Sequence, residues 1–536
     1  MNINDFLSNI SFRLDTWDDY GHKQTAEITS LYSGVSFYVK IFPNDDTNFR
    51  RIKKNEISEE PCFLWGQSQE YYQFISNNLE NDSDKNRWFE LTGDIAYQGK
   101  KFIEYYDTLQ SEWYDSYTSN GDNQRNDFLK MFDDSFFRDQ SKITWQDLLH
   151  SLHRMTVNES FLSDYKFTIK KDSQELFEVD VRPKDNISVN LDDNILPMSV
   201  SNNVFCIIGE NGSGKTHFIR ELSKAILNKD SKIKIESIEF DTQKDANKMN
   251  KIIYCSFSPF DEKLELESRE EDKKLESESR EEQERFEYIG LLSYEDTNQK
   301  LGDKITDDIM ESLKSIKISR KQKLWLVVMN RMSFERWIYD IIYLFQNDII
   351  KGSIDTTQGG STDGYVYKNP DESTEKIKNL SSGQKIFLLT ITKLILKLTQ
   401  RTVVFIDEPE LFLHPPMVKS YVRLISDLVS YVNGLGFIIT HSPITLQEFP
   451  NNCVKLACRD YSGEYLIKPI RFNTFGENIN IINDKIFHIG LQQSGYYNLI
   501  ERLKFEEDEN NLRNLLEFSG SEAKLLINLF LEGISK

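Results

Sequence analysis

Apolar and polar residues alternate over Ile10–Leu14, and Val35–Phe42 (VSFYVKIF) is dense in β-formers. With the turn material Asp18-Asp19-Tyr20-Gly21 between them, these runs predict strands joined by a turn within residues 1–42. The period then changes. From Pro43 to Asp164 aromatics recur among acidic and amide residues, as in FLWGQSQEYYQFISNNL and GKKFIEYYDTLQSEWYDSY, at spacings that predict amphipathic helices. Strand patterns return at Tyr165–Lys170 and Leu176–Arg182. Asn203–Ile208 (NVFCII) reads as a short buried-type strand, and Thr402–Ile406 (TVVFI) and Gly436–Thr440 (GFIIT) read as two further apolar strands. A second helical stretch is predicted over 261–350, opening with DEKLELESREEDKKLESESREEQERF, whose interleaved charges suit a solvated helix with i,i+4 pairs. Gly352–Ser373 is rich in Gly, Ser, Thr and Asp and reads as a loop or linker.

Composition narrows the class. At roughly 150 residues per domain, 536 residues make about two to four units. A hydrophobic share of 39%, with 35 Phe and 24 Tyr, excludes a wholly disordered chain. The formal net charge of −21 argues against a non-specific nucleic-acid coat and leaves room only for a local basic groove. No apolar run approaches the ~18–20 residues that span a bilayer, so no membrane partner is expected. The start, MNINDFLSNI, lacks the layout of a secretory signal. Cys62, Cys206, Cys255, Cys453 and Cys458 form neither a disulfide framework nor a zinc-type CxxC pair. The expectation is a large, soluble, cytoplasmic protein.

Chemistry concentrates first at Gly209–Thr216, GENGSGKT, which fits G-x-x-x-x-G-K-[ST] between an apolar strand ending at Ile208 and the helical HFIRELSKAIL. In such a loop Gly209, Gly212 and Gly214 permit the tight turn. The N–H groups of Glu210, Asn211, Ser213 and their neighbours through His217 face phosphate at the helix N-terminus. Lys215 reaches the β- and γ-phosphates, and the Thr216 hydroxyl binds Mg²⁺. Downstream, TVVFI runs into Asp407-Glu408-Pro409-Glu410. A carboxylate at that strand end suits Asp407 as the second Mg²⁺ group, and Glu408 suits polarising the attacking water. The third strand delivers His441-Ser442-Pro443, with His441 placed to hydrogen-bond a γ-phosphate.

Leu380–Gln384 (LSSGQ) resembles the signature motif of ABC-type ATPases, and the order P-loop, LSSGQ, VVFIDEPE, ITHSP resembles that superfamily. The resemblance implies an α/β fold, an ABC-type ATPase head (a P-loop mixed sheet with helices) bearing two mainly helical insertions. It implies ATP and Mg²⁺, and a homodimer or higher homo-oligomer in which each ATP lies between one copy's P-loop and the other's Ser381, Ser382, Gly383 and Gln384. Catalytic roles then fall to Lys215, Glu408 and His441, phosphate binding to Gly209–His217, and the metal to Thr216 and Asp407. The implied division is 1–42 first strands of the head, 43–164 helical insertion and 165–260 P-loop part. Residues 261–350 are a helical insertion or arm, 351–450 carry the signature, acidic pair and histidine, and 451–536 are the C-terminal part. One departure stands out: Ile252–Phe260 (IIYCSFSPF) lacks the glutamine such heads carry there, so Ser256 or Ser258 substitutes or the link is rebuilt.

DEPELFLHPP and THSP resemble the soluble SMC-like and OLD-like branch, with His414 either near a dimer seam or structural. FLWGQSQEYYQF and TFGENINIINDKIF resemble, in texture, bacterial anti-phage defence ATPases of the Septu type. That implies a separately encoded effector partner, such as a nuclease. The Toprim nuclease of OLD-like proteins needs a D-x-D, and none follows Pro443; Glu506-Glu507-Asp508-Glu509 reads as a solvent face. His150 and His153 stand i,i+3 without a third ligand. Lys314, Lys317, Arg320, Lys321 and Lys323 read as an ordinary solvated helix, with nucleic acid or an acidic partner as the other reading. The alternative function is SMC-like DNA maintenance, which wants a long coiled-coil arm where only about 160 residues separate Lys215 from Leu380.

Overall fold

The computed structural model describes residues 1–15, 22–79, 81–120, 126–137, 142–159, 161–162, 164–171, 174–183, 186–189, 196–200, 202–227, 231–240, 249, 251–257, 285–291, 301–319, 321–355, 361–461, 463–487, 495–506 and 508–534. Most of the charged run 261–286, Arg320, Ser258 and the Asp18–Gly21 turn lie outside them.

The opening strands do not belong to the head. β1 (Ile10–Leu14), β2 (Thr25–Ser30), β3 (Ser36–Phe42) and β4 (Phe63–Trp65) form an antiparallel sheet of their own in that order. Its buried Ile28, Val39, Ile41 and Trp65 share one core with Tyr71, Trp88, Phe102 and Trp145 from the helices that follow. The 43–164 stretch is mainly helical, but it covers this sheet rather than interrupting the head. The physical reason is aromatic packing: Phe137 stacks on Trp145 at 4.1 Å, and Phe63 meets Phe132 edge-on at 5.1 Å. The unit touches the head through Tyr431, whose hydroxyl donates to Glu70 at 2.9 Å, and through Ser151 and Asp147, which meet Gln400 and Arg401.

The head begins with β5 (Tyr165–Lys171) and β6 (Gln174–Val181), followed by a short β7 (Ile187–Val189) and β8 (Met198–Val200) pair. Its central strands are β9 (Val204–Ile208), β11 (Lys251–Ser256), β12 (Phe286–Gly290), β15 (Thr402–Asp407), β16 (Leu435–Thr440), β17 (Val454–Arg459) and β18 (Tyr465–Pro469). They form one sheet in the order β12-β11-β15-β16-β9-β17-β18, parallel except for the β17–β18 pair. β10 (Ile233–Phe240) pairs with β5 in a separate three-stranded antiparallel sheet. Every residue of β9, β15 and β16 is buried, which is why these strands read as continuous apolar runs.

Helices Leu301–Ile318, Gln322–Arg331 and Arg336–Tyr343 share the head's core rather than projecting from it. Buried Trp325 donates its Nε1–H to Thr392 of the helix Ser382–Lys397 at 3.1 Å. Two members of the basic cluster, Lys317 and Lys321, are spent on this packing. Lys321 Nζ caps the same helix through the carbonyls of Ile395, Leu396 and Leu398 at 2.8, 3.0 and 2.8 Å, and burial pushes its ammonium down to about 7. Lys317 donates to Phe345 O, Lys314 pairs with Glu311, and Lys323 stays exposed. The stretch read as a linker contains a hairpin instead, β13 (Ile349–Asp355) with β14 (Ser361–Tyr367), and then the helix Pro370–Lys378. Past β18, the helix Ile479–Phe487 packs on the head, and three final helices close on a small core of Ile500, Leu512, Ile527 and Leu531. No helix among the described residues is long and apolar enough to cross a membrane.

Candidate functional site: a phosphate loop facing two acidic strand ends

Parallel strands discharge their C-terminal ends at one edge, and the order β15-β16-β9 sets three of the predicted motifs side by side there. β9 ends at Ile208, and the loop Gly209–Gly214 leads straight into the helix Lys215–Ile226. Gly214 holds φ at +94°, a left-handed conformation, and a Cβ there would come within 2.7 Å of Tyr465 Cβ. Glu210, Asn211 and Gly212 are exposed, while Ser213 and Lys215 are buried. Lys215 Nζ donates to the carbonyls of Gly209 (2.8 Å) and Glu210 (2.9 Å). Burial pushes this ammonium down, and Glu408, Asp407 and Glu410 partly restore it. His217 lies on the exposed side of the helix with its ring edge-on to Tyr465, and burial among nearby lysines lowers its pKa.

Asp407 is the last residue of β15 and only 9% exposed. Thr216 Oγ1 donates to its Oδ2 at 3.4 Å, across 191 positions of chain. A hydroxyl and a carboxylate converging in this way form the hard-oxygen donor set that suits Mg²⁺. Glu408 then adopts φ 47°, ψ 61°, a strained conformation for a residue with a side chain. Its N–H still donates to Ile439 O at 2.9 Å, so the ladder with β16 runs one residue past the strand. The turn throws the Glu408 carboxylate toward His441, with Oε1 3.4 Å from Nδ1. Lys215, Thr216, Asp407, Glu408 and His441, predicted from three separate motifs, are therefore brought together.

The fourth motif is elsewhere. Ser381 caps the helix Ser382–Lys397 in a reciprocal box with Gln384, the Ser381 N–H donating to Gln384 Oε1 at 2.9 Å. Ser381 and Ser382 are exposed, and among the described residues no hydrogen bond joins Ser381–Gln384 to the phosphate loop. Gly383 packs against the loop after β15: a Cβ there would lie 2.2 Å from Phe412 O. His414, in that same loop, pairs with Glu335 at 3.2 Å.

Three residues at the site escaped the sequence reading. Tyr254 on β11 donates its buried hydroxyl to Asp407 Oδ2 at 3.1 Å. β11 and β15 are in register, Tyr254 opposite Phe405 and Ser256 opposite Asp407, so Tyr254 and Ser256 share the face that reaches Asp407. Arg459 on β17 donates to Gly212 O at 2.6 Å and steadies the phosphate loop from behind. Glu410 accepts from Thr440 Oγ1 (2.6 Å) and from the His441 N–H (2.9 Å). The second acid of DEPE was the signal for Glu410. No sequence signal marked Tyr254 or Arg459.

The sheet, the phosphate loop with its helix and the acidic strand end define an α/β P-loop ATPase fold, with a separate N-terminal unit. Residues 204–446 match the family model described as "AAA domain, putative AbiEii toxin, Type IV TA system". The chain is 27% identical over 348 residues to protein ea59 of Escherichia phage lambda, covering 64% of this chain and 63% of that protein, so it spans less than two thirds of that relative. Among solved structures, the ADP conformation of MJ1267, an ATP-binding cassette of an ABC transporter, aligns with 60% of this chain and 96% of its own at 15% identity and a TM-score of 0.24.

Proposed function

We propose that the protein binds and hydrolyses ATP at the edge formed by β9, β15 and β16, and that two copies close around the nucleotide. The observation that carries this reading is the convergence of Lys215, Thr216, Asp407, Glu408 and His441 at one edge while Ser381 and Ser382 stand exposed on another helix. The loop N–H groups and Lys215 bind the phosphates. Thr216 and Asp407 hold Mg²⁺, which when bound neutralises charge on the phosphate oxygens. Glu408 accepts a proton from the attacking water, and His441 orients Glu408 through Nδ1. Ser381–Gln384 serve the second copy's nucleotide, presenting the small side chains of Ser381, Ser382 and Gly383 at the helix N-terminus.

The same reading makes the protein a nucleotide-gated scaffold for a separately encoded effector, probed first as a nuclease, in bacterial anti-phage defence. What supports it is the matched family model, described as "AAA domain, putative AbiEii toxin, Type IV TA system", together with the internal use of Lys317 and Lys321, which takes these two lysines out of any DNA-facing role. The deciding experiment uses Glu408→Gln, which keeps the side-chain shape and removes the base. Purified gently with Mg-ATP, it is expected to bind nucleotide without turnover, to double in mass and to carry a second protein. A nucleotide-indifferent monomer with nothing attached would refute the sandwich, and salt-dependent DNA binding by the chain alone would point to SMC-like maintenance instead.

A further inference from the structure

β17 lies beside β9, with Leu456 opposite Ile208, and it runs on past that point to Arg459. Ala457, Cys458 and Arg459 therefore flank the phosphate loop where β9 has already ended. The loop carries three glycines, and two of them press on the β17–β18 hairpin. A Cβ at Gly209 would lie 2.3 Å from Ala457 O, and one at Gly214 would lie 2.7 Å from Tyr465 Cβ. Gly212, at the tip, is different. It is exposed, holds φ at +77°, and a Cβ there would meet nothing within 4 Å. What reaches this tip is Arg459. Its Nε donates to Gly212 O at 2.6 Å, and its Nη1 donates to Gly463 O at 2.6 Å in the turn between β17 and β18. That turn is itself fastened. The Asp460 N–H donates to Glu464 O at 2.9 Å, the Glu464 N–H donates to Asp460 Oδ1 at 2.9 Å, and the Glu464 carboxylate pairs with Lys171 of β5. Arg459 and Tyr465 stand opposite each other in the β17–β18 pair, so both side chains rise on the face that meets the loop.

We propose that Arg459 is a positioning residue for the nucleotide: its guanidinium braces the tip of the phosphate loop against the β17–β18 turn, so that the loop is ordered before phosphate arrives. Glycine loses more conformational freedom on ordering than any other residue, and an unbraced Asn-Gly tip would lose it at the moment of binding. A peptide unit is rigid, so a Gly212 carbonyl held toward Arg459 also fixes the Ser213 N–H, which donates within the loop to Glu210 O at 3.2 Å. The guanidinium suits this task because it presents its two donors in one fixed fork. The inference deepens the ATP-binding reading and rests on it for the effect on affinity, but the order of the nucleotide-free loop is independent of that reading.

Arg459→Ala removes the bridge and leaves Lys215, Thr216 and the loop N–H groups as they are. With a fluorescent ATP analogue, the dissociation constant is expected to rise at least about 5-fold, while kcat at saturating Mg-ATP stays within about 2-fold. The ratio of the two affinities is expected to hold between about 50 and about 500 mM NaCl, because a brace between neutral carbonyls acts through geometry, whereas attraction of an exposed charge for phosphate is screened. In the nucleotide-free protein, amide hydrogen exchange over residues 209–216 is expected to quicken at least about 3-fold in the variant, with exchange over the helix Ser382–Lys397 unchanged. Unchanged affinity, a ratio that shrinks toward unity at high salt, or unaltered exchange in the loop overturns the proposal. A fall in kcat with KM unmoved would place Arg459 in the chemical step and overturns it equally. If the wild-type protein binds no ATP, the function reading fails while hydrogen exchange in the empty loop still decides the role of Arg459. Should Arg459→Ala not fold, Arg459→Gln removes the fork while keeping a polar side chain, and unaltered loop exchange there counts against the proposal.

Discussion

Replacing Gly383 by Ala isolates the helix Ser382–Lys397 from the phosphate loop without touching either the base or the metal ligands. The added Cβ would sit 2.2 Å from Phe412 O, against a closest natural approach of 3.0 Å, and the obstacle is backbone rather than a movable side chain. Either the helix start or the turn after β15 must yield by most of an ångström. Overpacking of this kind costs about 1–3 kcal/mol, enough to lower the melting temperature by several degrees without unfolding a head of this size. The larger effect is on geometry. A misplacement of about 1 Å near the chemistry costs on the order of 10²-fold in rate. The turn that must move lies directly beyond Glu408 and Glu410, while the phosphate loop is untouched. Steady-state ATPase assays are therefore expected to show a fall of about 10²-fold, with fluorescent-nucleotide affinity held within about 3-fold. Activity within 2-fold of wild type would show that the contact relaxes harmlessly. A parallel collapse of nucleotide binding would show that Gly383 acts on the fold and not on the join between the two turns.

Other outcomes follow from the same structure. Tyr254→Phe keeps the buried ring and removes the hydroxyl that donates to Asp407, so the Mg²⁺ concentration giving half-maximal nucleotide binding is expected to rise about 10-fold; an unchanged Mg²⁺ titration would leave the contact without consequence. Asp94 is buried as the N-cap of Ile95–Gln98, accepting from Tyr72 OH and from the Ala96 and Tyr97 N–H groups, and burial pushes its carboxyl up to about 7. Because the folded state then holds a proton that the unfolded state has already lost, stability falls as pH rises through 7. Between pH 6 and 8 on the order of 1 kcal/mol is lost in the wild type and not in Asp94→Asn, as read by urea unfolding followed through tryptophan fluorescence. A pH slope identical in the two proteins would mean that Asp94 titrates normally.

The parts legible in the sequence are those written locally. GENGSGKT needs positive φ at Gly212 and Gly214 and a helix directly behind it, and both follow from eight consecutive residues; so do the acidic pair at the end of TVVFID and the histidine at the end of GFIIT. Their order along the chain, strand end followed by loop or acid or histidine, was enough to indicate a P-loop head and a shared edge. What escaped depended on partners distant in sequence. The strands of 1–42 are correct as strands, yet pattern alone could not say which sheet they join, and that was decided by β4 and a cluster of aromatics from four later helices.

The same holds at the site. Tyr254 reads as one more apolar strand residue until the in-register pairing of β11 with β15 carries its hydroxyl to Asp407, 153 positions away. Lys321 reads as a solvated charge until the helix Ser382–Lys397 ends against it and presents three carbonyls. Backbone conformation and side-chain period are properties of neighbours, so the sequence by itself determined the loop, the strand runs and the identity of the chemical groups. Which strand lies beside which, and hence which carboxylate meets which hydroxyl, lysine or ring, is fixed by burial summed over the whole core, and only the tertiary structure decided it.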